Sequence, residues 1–380
     1  MREDINKLND FNYNLSINKN KEKIAIKRNS SIDLVRILGM YAIIIHHILI
    51  KGKLLKKYKK YNILILINIM CHWHVNSFAL ISGIVSHNKN KYSNLIFLWL
   101  YVIFFSIIIY IFFYLFELCT YNSNIFFHLF PVIFYKYWYF SEYFGMYLFL
   151  PLINKGILIA NKNELKTIII TTISIFIVWK DFMNYKFDTF KVDSGYSVLW
   201  LLNFYIVGAY LEKYIINIKR KKNFFCIICI ILYICTSLLT YYLAIYNGNN
   251  KIIIKLKQIF CYRINSLAMI IQSISLTLLF SQFKFNEAQS KIISFIGKLT
   301  FGIYLIHQHE FVKNILIIKL FKKYSINLSL KYLFVLIIIK SIIIFFVCAF
   351  IDYIRNLIFQ KLKIRQLCIL IERNLLRFFS

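Results

Sequence analysis

Two residues in the first apolar stretch of the chain have side chains suited to anion binding and acid–base chemistry. Arg36 and His47 lie eleven positions apart within residues 32–50. In an α-helix, that spacing places both side chains on one face, roughly 16 Å apart along the axis. A guanidinium grips phosphate through a planar fork, and an imidazole takes up a proton near neutral pH. The pair is therefore predicted to hold the two ends of one elongated ligand.

Other polar side chains interrupt the apolar segments, where an ionisable group costs about 2.5–3.5 kcal/mol and usually has a function. Asp33 lies one turn before Arg36, a spacing that allows an ion pair. The remaining candidates are His46, His72, His74, Asn76, Ser82, Glu142, Arg263, His307, His309 and Glu310. No metal site is predicted, because histidines two positions apart on a helix point in different directions.

The composition requires that these residues be placed by membrane helices. Of 380 residues, 59% are hydrophobic and 17% are charged, whereas a soluble domain is about 45–50% apolar and about 25% charged. The net charge of +31 comes from short basic runs between apolar stretches, which argues against a nucleic-acid binder. We expect an all-α, polytopic membrane helical bundle with about ten transmembrane helices.

Apolar segments long enough to approach a membrane span occupy most of the chain. They are residues 32–50, 63–86, 95–116, 134–153, 167–183, 196–212, 223–246, 258–283, 292–312 and 332–352. Three units are predicted: a disordered basic cytoplasmic tail at 1–31, a membrane domain at 32–353 and a basic cytoplasmic tail at 354–380.

Basic residues in both tails and in the loop after residue 212 favour a cytoplasmic location for both termini. The lysine-rich stretch 51–60 would then lie outside, against the same rule. We keep the prediction of a multi-pass protein of the plasma membrane with both termini inside.

The stretch 32–47, with Asp33, Arg36 and His47, resembles the first helix of acyltransferase family 3, the integral-membrane O-acyltransferases that modify bacterial surface glycans. Three later segments resemble further elements of that family, in the same order. The matching positions are His74, Phe78, Ser82 and Gly83; then Trp138, Tyr147 and Pro151; then Gly297, Gly302, Tyr304 and His307.

The resemblance implies O-acylation, with acetyl as the expected group, from acyl-CoA to a hydroxyl of a cell-envelope polysaccharide or its lipid-linked precursor. Arg36 would anchor the donor phosphates, and His47 would act as general base or carry the acyl group. The expected binding residues are Asp33, His74, Ser82, Glu142, Arg263, Tyr304 and His307. Ser82, Tyr304 and His307 would orient the acceptor or stabilise an oxyanion, Glu142 would fix a histidine tautomer, and Arg263 would add charge for the donor. No bound cofactor and no nucleic-acid partner are expected.

Two other classes remain open from the residues alone. Ionisable groups inside a membrane also mark proton relays and substrate paths, so a transporter or flippase of a glycan-related substrate is the main alternative. A structural or regulatory membrane subunit is the second. Transporters often contain internal repeats and helices broken by Gly or Pro. The chain has no visible repeat and only two prolines, which favours an enzyme.

Overall fold

The structure is a computed structural model that describes residues 28–378. The residues left out within that range are 59–61, 88–91, 119–124, 180–187, 189, 217–221, 262 and 320–327. The predicted disordered tail 1–31 therefore lies almost wholly outside the described residues. Throughout the described part, the regular secondary structure is helical, as an all-α bundle requires.

Within the described residues, thirteen helices of more than two turns form the bundle. In chain order they are α1 Ser30–Lys51, α2 Ile63–Cys71, α3 His74–Ser86, α4 Tyr92–Leu115, α5 Trp138–Ile159, α6 Lys162–Ile173, α7 Val198–Leu211, α8 Lys222–Ile245, α9 Lys251–Phe260, α10 Leu267–Ser281, α11 Glu287–Gln308, α12 Leu330–Lys361 and α13 Ile364–Phe378. Two short π-helical segments, Ser174–Trp179 and Glu212–Ile216, extend α6 and α7.

Five described segments are long and apolar enough to cross a membrane. They are α1, the α2–α3 segment Ile63–Ser86, α4, α8 and α12. Each of the ten predicted segments overlaps a helix of the structure. The fold is that of a helical membrane protein, and the count of ten spans stays a prediction.

The structure differs from the predicted segments at two positions that matter for the site. Residues 258–283 were expected as one span, but α9 ends at Phe260 and α10 begins at Leu267. The intervening backbone leaves the carbonyl of Ile264 to accept a hydrogen bond from Asn76 in α3 (2.9 Å). The predicted domain boundary at 353 falls inside α12, which continues to Lys361.

The crossing of α3 and α7 depends on two glycines, each of which lies directly against the backbone of the other helix. A Cβ atom on Gly83 would lie 2.0 Å from the carbonyl oxygen of Tyr205, and one on Gly208 would lie 2.1 Å from that of Leu80. Small residues allow helices in a membrane to approach this closely and gain van der Waals contact. The crossing fixes α3, which carries His74 and Ser82.

The helices α1, α11 and α12 pack against one another, and α11 again presents glycines at the contacts. A Cβ atom on Gly297 would lie 2.8 Å from Cβ of Asp33, and one on Gly302 would lie 2.1 Å from Cγ of Asp352. Each glycine thus makes room for a buried carboxylate on a neighbouring helix. One hydrophobic cluster surrounds these three helices and α4, and a second surrounds α3, α5, α7 and α10.

Candidate active site

A cavity of about 450 Å³ lies among α1, α3, α4, α5, α11 and α12. Its lining includes four cations, Arg28, Arg36, Lys298 and Arg355, and four histidines, His46, His47, His72 and His74. Because Arg28 and Arg36 lie near the start of α1 and His46 and His47 near its end, the two groups occupy opposite ends of that helix. The arginine end and the histidine end are therefore joined by one continuous space.

At the arginine end, a buried carboxylate organises two guanidinium groups. Asp33 is fully buried and accepts hydrogen bonds from Arg28 Nε (2.5 Å) and Nη2 (2.8 Å) and from Arg36 Nη1 (2.5 Å). The predicted pairing of Asp33 with Arg36 is therefore present. Asn29 caps α1 by accepting from the backbone N–H groups of Ser31 and Ile32, which holds this first turn in place.

A second Asp–Arg pair with the same spacing stands beside the first, on α12. Asp352 is fully buried and Arg355 is 4% exposed. Arg355 donates to Asp352 through Nε (2.9 Å) and Nη2 (3.1 Å), and to the hydroxyl of Tyr101 on α4 (2.8 Å). Tyr101 in turn donates to Asp352. Because Arg355 follows the predicted boundary, the sequence interpretation placed it in the basic tail. The signal that would have identified Arg355 is the Asp-x-x-Arg spacing, which repeats that of Asp33 and Arg36.

At the histidine end, His47 is held by a histidine from α11. His307 Nδ1 lies 2.6 Å from the carbonyl oxygen of Ile303, one turn earlier, and must donate to it. In the neutral ring, Nε2 of His307 then carries the lone pair and accepts from His47 Nδ1, 3.2 Å away. In the tautomer in which His47 donates through Nδ1, the lone pair of His47 lies on Nε2. The Gln308 amide contacts both nitrogens of the His47 ring.

His74 has a different environment. It is 3% exposed and lines the cavity, yet neither ring nitrogen has a hydrogen-bond partner among the described residues. His46 is satisfied by Asn68, 2.9 Å from Nδ1. A buried polar group without a partner is costly, so His74 is set up to bond to whatever fills the cavity. Within the described residues, no group of three or more His, Cys, Asp or Glu is arranged to hold a metal ion.

A buried network holds the start of α3 in position. The amide of Asn76 accepts from Trp200 Nε1 on α7 (2.9 Å) and donates to the Ile264 carbonyl (2.9 Å). Asn76 is two residues after His74, so the network ties that histidine to α7 and to the break before α10.

The predicted site residues divide into three groups in the structure. Arg36, His47, His74, Ser82 and Tyr304 line the cavity. Asp33 bonds to Arg36 and His307 bonds to His47, and neither Asp33 nor His307 is itself part of the lining. Ser82 donates its hydroxyl proton to the carbonyl of Phe78 in its own helix (3.0 Å).

Glu142 and Arg263 do not belong to the cavity lining. Glu142 accepts a hydrogen bond from the Tyr135 hydroxyl (3.0 Å) and lines a second pocket, and its suggested role of orienting a histidine stays a prediction. Arg263 directly precedes Ile264, whose carbonyl bonds to α3 at the histidine end, and it donates to the carbonyl of Gln258. Its suggested role of adding charge at the donor phosphates stays a prediction.

Comparison with known proteins gives one match that covers most of the chain. The model of a family described as an acyltransferase domain, Acyl_transf_3, matches residues 29–353. The chain belongs to this family. No curated protein and no solved structure gave a match.

Membership of the acyltransferase family gives the cavity a general chemical meaning. The protein is an acyltransferase, and its apolar helices make it a membrane protein. The matched range includes Asp33, Arg36, His47, His74 and His307 but ends before Arg355.

Proposed function

We propose that this acyltransferase moves an acyl group, acetyl in the simplest case, from acyl-CoA to a hydroxyl of a cell-surface polysaccharide or its lipid-linked precursor. The observation that carries the proposal is the single cavity joining a cluster of four cations to His47. A donor that bears phosphates at one end and a reactive thioester at the other matches that arrangement in length and charge.

The charge at the arginine end supports a phosphorylated donor. Four cations line this part of the cavity, and the only carboxylates bonded to them among the described residues are Asp33 and Asp352. The excess positive charge suits the diphosphate and the ribose phosphate of coenzyme A. Arg28 and Arg36 are held by Asp33 with part of each side chain accessible. They are therefore pre-positioned to bind phosphate without first having to order.

The histidine end supports acid–base catalysis of the transfer. His47 Nε2 takes the proton of the acceptor hydroxyl, whose oxygen attacks the thioester carbonyl. The tetrahedral intermediate collapses with cleavage of the C–S bond, and the leaving thiolate takes the proton back from His47. The products are the sugar ester and the free thiol of coenzyme A. His307 keeps the His47 ring oriented, and His74 is available to donate to the oxyanion.

We place the arginine end of the cavity at the cytoplasmic face of the plasma membrane, with both termini inside. Cytoplasmic acyl-CoA would then reach Arg36 directly, and the acceptor would approach from the opposite face. Basic runs at the N-terminus and after α7 support this orientation. The acyl group alone crosses the bilayer, through the cavity.

The decisive experiment follows labelled acetyl from acetyl-CoA into a crude glycan fraction in membranes that contain the protein. We expect transfer with the wild type and transfer slower by about 10²-fold or more with His47→Ala. His87→Ala is the matched control, because this histidine bonds to the carbonyl of Gly83 and lies outside the cavity lining. Equal transfer by wild type and His47→Ala would refute the role of His47.

Absence of transfer by the wild type from several thioesters, with glycan flux across the membrane instead, would favour the alternative of a transporter or flippase. Labelled glycan measured on both sides of sealed vesicles separates the two functions.

A further inference from the structure

A second pocket, with a volume of about 700 Å³, lies beside the histidine end of the cavity. It is formed by the turn before α5, the first turns of α5, Asp188 and the segment 190–199 that leads into α7. Its lining combines three aromatic rings with three carboxylates: Tyr135, Phe190 and Tyr196, and Glu142, Asp188 and Asp193. The volume falls within the range of about 300–1,000 Å³ that is usual for small-ligand sites.

The two spaces share Tyr196, which lines both of them. Its ring lies 4.4 Å, centre to centre, from that of Trp138, which lines the cavity together with His47 and His74. The rings of Tyr196 and Trp138 therefore lie between a ligand in the second pocket and the histidine end of the cavity. Tyr196 is 40% exposed, so its ring face is available to a ligand.

The pocket is built by contacts that hold its loops in place. The backbone N–H of Asp193 donates to Asp188 Oδ2 (2.5 Å), and that of Asn265 donates to the carbonyl of Ser194 (3.3 Å). Gly195 has φ +98°, and a Cβ atom there would lie 2.7 Å from Cβ of Ile264. The turn before Tyr196 therefore requires glycine, and it packs on the backbone that also bonds to Asn76.

We propose that this pocket is the acceptor subsite and that it binds an uncharged sugar residue of the glycan. The inference rests on the proposed function, which requires an acceptor hydroxyl to reach His47. The C–H face of a pyranose ring packs on the face of an aromatic ring, and Tyr135 and Tyr196 supply such rings. Carboxylates accept hydrogen bonds only, which matches a ligand that is rich in hydroxyl donors.

Charge selects among acceptors. Among the described residues, three carboxylates and one cation, Lys191, line the pocket, so the charge of this described lining is negative. A uronic or sialic acid residue would add a further negative charge, and like charges in one site destabilise binding. Inside the cavity, His74 is buried and has no hydrogen-bond partner among the described residues, so it can bond to an acceptor hydroxyl that reaches His47.

The binding test uses two matched pairs of sugars: methyl glucoside with methyl glucuronide, and methyl galactoside with methyl galacturonide. Saturation-transfer difference NMR on the protein in nanodiscs, without any donor, reports their binding. We expect signal from the uncharged member of a pair, loss of that signal in Tyr196→Ala and its retention in Tyr196→Phe, which keeps the ring. Uronides that bind as well as their partners, or no Tyr196-dependent signal from any sugar, would overturn the inference.

A kinetic test separates this inference from the proposed function. Tyr196→Ala and Asp193→Asn should raise the acceptor KM about tenfold, equivalent to about 1.4 kcal/mol, while the KM for acetyl-CoA stays unchanged. Glu287→Gln is the control, because Glu287 is exposed at the start of α11 and outside both pockets. Equal effects on both substrates would overturn the subsite alone. If the wild type neither binds acetyl-CoA nor turns it over, the proposed function itself is refuted.

Discussion

His47 Nδ1 lies 3.2 Å from His307 Nε2, although 260 positions of the chain separate the two residues. The contact joins the end of α1 to the end of α11. The carbonyl of Ile303 fixes the tautomer of His307, so Nε2 of His307 faces His47 as a hydrogen-bond acceptor. When His47 donates to it, the lone pair that can take a proton lies on Nε2 of His47, which lines the cavity.

Replacing His307 should therefore reduce kcat rather than substrate binding. A positioned general base contributes about 10²–10⁴-fold to a rate. We expect His47→Ala to lower kcat by a factor of that size and His307→Ala to lower it by a smaller factor. The KM for the donor and the KM for the acceptor should stay nearly unchanged in both variants. His307→Gln retains an acceptor and should recover part of the rate. Steady-state kinetics with acetyl-CoA check this, and a rise in KM with constant kcat would contradict it.

Replacing Arg36 should weaken donor binding. Hydrogen bonds to charged groups contribute about 1.5–3 kcal/mol, so Arg36→Ala should raise the KM for acetyl-CoA by about 10- to 100-fold. Arg36→Lys should fall between the two proteins, because an ammonium is a point charge without the planar fork. Arg373→Ala, on the exposed face of α13, serves as the control. An unchanged donor KM in Arg36→Ala would exclude a phosphate contact.

The Asp352–Arg355 pair predicts a strong effect on stability. Removing one member of a buried ion pair costs about 3–5 kcal/mol, because the other charge is left unpaired. Asp352→Ala should therefore lower the melting temperature of the purified protein markedly. The double variant Asp352→Ala with Arg355→Leu should regain much of the loss, since no charge then remains buried. Thermal unfolding in detergent measures this, and equal melting temperatures for the single and double variants would count against it.

The glycine contact between α3 and α7 predicts a loss of folding on a minimal substitution. A methyl group at Gly83 would lie 2.0 Å from the carbonyl oxygen of Tyr205, and neither backbone can move without disturbing the crossing. Gly83→Ala should therefore reduce the yield of monodisperse protein in size-exclusion chromatography. Gly156→Ala is the matched control, because nothing lies within 4 Å of a Cβ atom there. Equal yields of the two variants would show that the crossing is more tolerant than the contact implies.

Features set by positions close together in the chain were predictable from the sequence. The Asp33–Arg36 pair and the common face of Arg36 and His47 follow from the period of one helix. The helical class followed from composition. The same local reasoning missed Arg355, because it ended the last span at residue 352 while α12 continues for more than two turns. Arg28 was assigned to the tail, yet it binds Asp33 from two residues before α1.

The sequence by itself determined that this chain forms membrane helices and that α1 carries an arginine and a histidine on one face. Tertiary structure alone decided that His307 supports His47, that Arg355 joins Arg36 at one end of the cavity, and that Glu142 and Arg263 lie elsewhere. The physical reason is that lipid is as apolar as the helices, so burial of apolar surface does not select helix neighbours. Close contacts at small residues such as Gly83 and Gly297 do, and these depend on pairs of helices far apart in the chain.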